Sequence, residues 1–297
     1  MNQILVKNGI SPAFVGAAYM VLAGALFALV NISVQGAAMS FGMPSSSVAF
    51  WQYAIALVLG GAWLLRLGPK GFATKNLGKH VIRVLFAAAG VQLWVLGLKS
   101  VPIWQAIALI MTSPFFVTVG AAIFLRETVS VQRWAATAVG FAGGMIILSP
   151  WSDTFTVAAL YPIGAAALWA MASLMTKSLT KQEAADTVTA YLLVLLTPIN
   201  AVFAGVEGFV APTGTALWLV LGAGLLTALA QLALTRAYAA ADASYVQPFD
   251  HLKLPLNVLF GWLAFQFVPS GNLWLGAALI IGASMYILQR EAKEQSA

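Results

Sequence analysis

Gln247, Pro248, Asp250, His251, Lys253, Pro255 and Asn257 fall within about three helical turns of an otherwise apolar stretch. An ionisable group at bilayer depth costs at least about 2–3 kcal/mol, so it faces a partner or a cavity. Asp250 and Lys253 stand three residues apart and share a helical face, which allows an ion pair that neutralises itself inside a bundle. The functional alternative puts the cluster on the wall of a water-filled path. There Lys253 or His251 meets a substrate carboxylate or carries a proton, histidine being the side chain whose charge changes most readily near neutral pH. Pro248 and Pro255 each remove a helix hydrogen bond and free a carbonyl. Such backbone is tolerated at membrane depth where it lines a cavity or is packed in protein.

Uncharged polar groups are scattered through the other apolar stretches: Asn31, Gln35, Gln52, Gln92, Gln105, Thr112, Ser113, Asn200 and Gln231. Any one of them can serve as glue between helices, contributing on the order of 1 kcal/mol. Asn31 is the strongest candidate for a binding role, because it follows Phe27 by one turn just as Ser173 follows Trp169. Aromatic residues divide similarly. Trp63, Trp134, Trp151, Trp218 and Trp274 lie near the ends of apolar stretches and read as interfacial anchors. Trp104 with Tyr245, and Phe27 with Trp169, form matched pairs suited to walls around a flat apolar substrate or an ammonium group. The expected substrate site therefore comprises Lys253, His251, Asp250, Asn31, Trp169, Trp104, Tyr245 and Gln247, with Pro114, Pro248 and Pro255 as hinges.

Enzyme chemistry finds little support. The sequence has no H-E-x-x-H, no Walker A motif, no dinucleotide fingerprint and no cluster with metal-ligand spacing. Gly282-Ala283-Ser284-Met285 matches the loose pattern of an intramembrane serine protease, which needs a histidine base in reach, and His251 is the only candidate within a span. The chain is expected to be neither an enzyme nor a cofactor or metal carrier. Lacking an ATP site, it would transport passively or on an ion or proton gradient.

These residues are positioned by long apolar segments. The chain is 61% hydrophobic and 8% charged, against about 45–50% and about 25% in an average soluble domain. Spans are expected near 13–36, 46–65, 81–98, 103–124, 132–149, 157–176, 187–206, 215–235, 244–265 and 272–289, most of them near the ~20 residues needed to cross the hydrocarbon core. The first span is longer than the ~7–15 apolar residues of a signal peptide and is expected to be retained.

The two halves follow one plan. Ala25-Leu26-Phe27-Ala28, Pro114 and Trp134 recur as Ala167-Leu168-Trp169-Ala170, Pro255 and Trp274, a shift of about 141 positions. The matched prolines predict bends at equal depth in both halves. Five spans per half is an odd number, so the second repeat is expected upside down relative to the first, an arrangement that places a substrate site between the halves. The expected fold is therefore all-α and integral to the membrane, with ten transmembrane helices as two inverted five-helix repeats, residues 1–151 and 152–297. All but Lys99 and Lys253 of the 15 Lys and Arg residues then fall in segments on one side, which makes that side, with both termini, cytoplasmic. The net charge of +6 is thus explained by topology, and a nucleic-acid partner is not expected.

Gly97-Leu98-Lys99-Ser100 through Pro114, Leu125-Arg126-Glu127-Thr128 and Gly140 to Leu148 form one pattern, and Ala237-Tyr238-Ala239 through Pro255 and Gly276 to Leu288 form a second. The paired pattern resembles the drug/metabolite transporter superfamily with two EamA-type domains. Within it the chain looks most like bacterial exporters of aromatic and other neutral amino acids. The resemblance implies a ten-helix inner-membrane carrier that exports amino acids by alternating access, as a monomer or weak dimer whose partners are a small-molecule substrate and the lipid bilayer. Cationic drugs or nucleotide-related metabolites are alternative cargoes on the same fold, and a passive channel is a further alternative. The second copy has Gln266 where the first has Glu127. That lost charge reads as a turn or helix-cap constraint rather than a coupling site.

Overall fold

The computed structural model describes residues 11–98, 109–110, 112–148, 151, 157–266 and 272–296. Among them there is no strand. The helices, in order, are α1 Pro12–Gln35, α2 Ser45–Gly71, α3 Leu77–Leu98, α4 Ser113–Phe124, α5 Val131–Leu148, α6 Leu160–Thr180, α7 Ala185–Glu207, α8 Gly214–Ala240, α9 Ala243–Asp250, α10 Lys253–Phe265 and α11 Asn272–Ser296. Each expected span is matched by a helix. The fourth is described from Ser113 onward, apart from Leu109 and Ile110, and the ninth is divided between α9 and α10. Pro12–Ser40, Ala185–Glu207 and Gly214–Ala240 are long and apolar enough to cross a membrane by length and composition.

Local chemistry sets several helix ends. The Ser11 hydroxyl accepts from the Phe14 N–H at 3.2 Å, and Pro12 follows at the first helical position, where its missing N–H costs nothing. The end of α1 relaxes into a π-helical turn, Gly36–Ser40. Gly68 interrupts α2 with φ 61°, a left-handed conformation that glycine adopts without strain.

The expected mid-helix kink at Pro114 is instead a helix start. Pro114 lies in the first turn of α4, where its missing N–H is needed by no carbonyl. Pro255 likewise lies in the first turn of α10, just after the interruption at His251 and Leu252. The matched prolines thus each open a helix rather than bending one. Pro248 does lie inside a helix, α9.

Helix α1 packs on α8, and α6 on α3. Helix α1 also meets α10 as α6 meets α4, and α2 meets α8 as α7 meets α3. Helices α2 and α7 pack on each other, as do α5 and α11. Exchanging each span for the one five places on returns this set of pairings. Small residues permit the closest approaches: a Cβ on Gly143 would lie 2.8 Å from the Gly276 carbonyl across the α5–α11 contact.

A buried cluster built from Met20, Val117, Leu174, Tyr238, Tyr245 and Phe249 joins helices of both halves. Val58, Val206, Leu263, Trp218 and Trp274 are exposed on the outside, as hydrocarbon-facing surface requires. Trp151, Trp218 and Trp274 are well exposed, as anchors should be. Trp134 is half-buried and meets Phe115 edge-on at 6.3 Å, so it also serves packing.

Candidate functional site

The ninth span breaks where the sequence concentrates its polarity. Leu252 N–H bonds to the Phe249 carbonyl and Leu254 N–H to that of His251, both one residue short of helical register. The Pro248 carbonyl therefore lacks its usual partner, the Leu252 N–H. Ser284 on α11 supplies one: its hydroxyl is shared between the carbonyls of Pro248, at 3.2 Å, and Ile280, at 3.0 Å. Ser284 is thus engaged by backbone and not by His251, so the serine–histidine pair of an intramembrane hydrolase is not assembled.

His251 is fully buried and faces α5, so closely that a Cβ on Gly140 would come within 2.5 Å of its ring. Neither ring nitrogen has a partner at hydrogen-bonding distance, although the Thr137 backbone is near enough to interact. Lys253 leaves the same span on the α1 side, where its Cβ approaches the position a Gly24 Cβ would occupy at 3.3 Å. His251 and Lys253 thus look into different interfaces and do not form one wall.

Lys253 Nζ donates to Asp250 Oδ2 at 2.6 Å, with both side chains mostly buried. The ion pair expected as one of two readings is present. One turn on, Asn257 Nδ2 donates to the Lys253 carbonyl at 2.7 Å, and Asn31 Nδ2 on α1 donates to Asn257 Oδ1 at 3.0 Å. Asp250, Lys253, Asn257 and Asn31 form a connected polar seam between α1 and the broken span, with no net charge.

Trp169 on α6 lies against α3. Its Nε1 donates to the Ala87 carbonyl at 3.2 Å, and its ring meets Trp94 at 6.2 Å. Gly90 makes room for it, since a Cβ there would fall 2.5 Å from Nε1. Gln247 is buried and donates to the Tyr238 hydroxyl at 2.6 Å. Tyr245 is buried against Phe249, with the Arg133 guanidinium 5.6 Å above its ring. In this conformation Gln247 and Tyr245 therefore belong to the core near the α8–α9 connection. Trp104 lies outside the described residues.

Two clamps at one end of the bundle were only partly legible. The Glu127 carboxylate, beyond α4, accepts from Ala243 N–H at 3.1 Å, Ser244 N–H at 3.0 Å and the Ser244 hydroxyl at 2.9 Å. It caps α9 from a distance, where the N-cap residue Asp242 makes no side-chain cap of its own. Arg126 before it is left-handed, φ 54°. Lys177 on α6 donates to carbonyls at the C-terminal end of α8, Tyr238 at 2.9 Å and the cap residue Ala241, and Arg133 reaches Asp242 and Ser244. The α8–α9 connection is thus gripped at both backbone ends.

In the second clamp, Glu183 accepts from Thr74, from Asn76 at 2.9 Å and from His80 Nε2 at 2.8 Å. Burial alone would raise the Glu183 pKa, but these three donors and the His80 ring together hold it below its usual value. Thr187 and Tyr191 hold the carbonyls of Gly71 and Phe72 at 2.8 and 2.7 Å. Sequence signals for these contacts were faint: Glu127 read as a turn or helix-cap constraint, without its partner on α9, and Lys177 as one of the basic residues of its side.

The all-helical fold with its long apolar helices fits a multi-pass membrane protein. The chain belongs to the EamA-like transporter family, which it matches twice, over residues 14–149 and 156–289. A relative named riboflavin transporter, from Rhizobium johnstonii, is 56% identical over 295 residues, covering 99% of this chain and 98% of its own. Another riboflavin transporter, from Vibrio cholerae, is 51% identical over 282 residues, covering 94% of each chain. A solved crystal structure with a TM-score of 0.76 and 19% identity covers 96% of this chain and 99% of its own, and shares the fold. The names of these relatives lend no support to amino-acid export.

Proposed function

We propose that this protein carries riboflavin across the bacterial inner membrane by alternating access between two inverted repeats, residues 1–151 and 152–297. The observation that carries the reading is full-length identity above one half to relatives named riboflavin transporters. The polar seam supports it chemically. A zwitterionic amino acid asks for a free cation and a free anion, whereas Lys253 and Asp250 are joined to each other. Riboflavin is uncharged at neutral pH and pairs a flat heteroaromatic ring with a polyol chain. Amides such as Asn31 and Asn257, and aromatic rings such as Phe27, Trp94 and Trp169 elsewhere on the helices, are side-chain types that suit such a cargo. Nucleotide-related metabolites, the runner-up cargo class, lie nearer to this chemistry than amino acids do.

The bias of the basic residues supports a cytoplasmic side for the two clamps and both termini. The structure then corresponds to a carrier whose cytoplasmic end is held shut by Glu127 and Glu183, and the breaks before Pro114 and Pro255 are the hinges on which it opens. The test is uptake of radiolabelled riboflavin into proteoliposomes holding the purified protein. Saturable uptake accelerated by riboflavin trapped inside is the expected result. Saturable phenylalanine transport without riboflavin transport would return the cargo to amino acids, and riboflavin flux without saturation or counterflow would make the protein a channel.

A further inference from the structure

The amide of Asn31 is held in one orientation. Asn257 presents Nδ2 to the Lys253 carbonyl, so its Oδ1 turns to α1, and Asn31 must answer with Nδ2. One Nδ2 hydrogen and both lone pairs of Asn31 Oδ1 remain, and the residue is exposed. That exposure is on the flank of α1 away from its apolar stripe. Phe14, Leu22 and Leu29 form the exposed apolar stripe of α1, and Asn31 lies about half a turn round the helix from Leu22 and Leu29. It shares a face instead with Gly24, which packs on Lys253, and with Phe27, one turn earlier and partly buried. A fixed amide therefore projects, beside an aromatic ring, from the side of α1 that faces the broken span.

We infer that Asn31 reads the imide edge of the flavin ring, accepting from its N3–H through Oδ1 and donating through Nδ2 to a neighbouring ring carbonyl. This rests on the riboflavin reading above and names the specificity-determining residue within it. An amide offers an acceptor and a donor side by side, and the imide offers the complementary pair in the same plane. Asn257 acts as a positioning residue, since it fixes which atom of Asn31 faces the cargo. Removing one partner of such a pair in a water-poor site leaves the other unsatisfied, which is how hydrogen-bonding sites reject analogues strongly.

The experiment measures competition against radiolabelled riboflavin in proteoliposomes by N3-methylriboflavin, which lacks the imide N–H, and by lumiflavin, which keeps the imide but has no polyol chain. Wild type is expected to take N3-methylriboflavin at least about tenfold more weakly than riboflavin. Asn31→Ala is expected to reduce that discrimination to about two- to threefold and to weaken lumiflavin as much as riboflavin. Equal competition by riboflavin and its N3-methyl form in wild type overturns the inference even if no variant folds, and leaves riboflavin transport standing. So does a lumiflavin affinity unchanged by Asn31→Ala, which would assign Asn31 to the polyol chain. Wild type carrying no riboflavin at all overturns both readings.

Discussion

Replacing Glu127 by alanine removes the side-chain cap that α9 receives among the described residues. The carboxylate holds two backbone N–H groups and one hydroxyl at 2.9–3.1 Å, and Ala243 and Ser244, which own them, are fully buried. Losing a helix N-cap costs about 1–2 kcal/mol. A buried donor left without an acceptor costs about 1–3 kcal/mol, less where water can enter. Together the clamp stabilises this conformation by about 2–4 kcal/mol relative to any state in which α9 has swung away, a shift of about thirtyfold or more in that equilibrium.

The chain contains no cysteine, so a single introduced one reports cleanly. Val246→Cys places the probe three residues into α9 at a fully buried position. The rate of labelling by a membrane-impermeant maleimide then follows the fraction of time the clamp is open. Glu127→Ala should raise that rate at least about tenfold, and Glu127→Gln, which keeps an acceptor but loses the charge, should fall between. Labelling within a factor of two of the parent, in protein that still elutes as a folded species, would refute the clamp.

The Lys253–Asp250 pair predicts a cycle in which single changes hurt more than the double. Lys253→Met or Asp250→Asn alone strands a mostly buried charge and should cost about 2–4 kcal/mol, whereas the double variant should recover most of the loss and still carry riboflavin. A thermal melt in detergent with a transport assay checks this, and a double variant worse than either single one would make the charges functional in their own right. Glu183 sets a pH dependence. Its folded-state pKa lies below the ordinary value of 4.5, so its contribution is present above that pH and is lost as pH falls through the lowered value. Melting temperatures between about pH 5.5 and pH 3 should therefore fall more steeply for wild type than for Glu183→Gln. Parallel profiles would show that the three hydrogen bonds do not favour the charged carboxylate.

How much of this was legible varies residue by residue. The spans were, because apolar length is a property of contiguous sequence. The match of Ala25–Ala28 with Ala167–Ala170 carried the repeat, and the paired pattern of Gly97 to Leu148 through Pro114 and of Ala237 to Leu288 through Pro255 carried the family. The ion pair of Asp250 and Lys253 was available from their spacing, since three residues on a helix are neighbours whatever surrounds them. The cargo was read less well: export of amino acids came from the narrower family resemblance, and the carboxylate-binding role given to Lys253 needed it unpaired, which depends on the rotamer the surrounding packing permits.

Gln247 and Tyr245 show the same limit. Their types suit a binding wall, but the end of the preceding helix at Tyr238, Phe249 one turn on and the remote Arg133 enclose them. His251 and Lys253, two residues apart, read as one cluster in sequence and face separate helices in space. The reach of Glu127 across 116 residues to the N-terminus of α9 could not be seen at all. By itself, then, the sequence determined what is local and additive: membrane-spanning helices, their breaks, the doubling of the plan and the i,i+3 ion pair. Only the tertiary structure decided which polar groups meet, because a hydrogen bond between remote elements depends on packing geometry set by the whole bundle, to within a few tenths of an ångström.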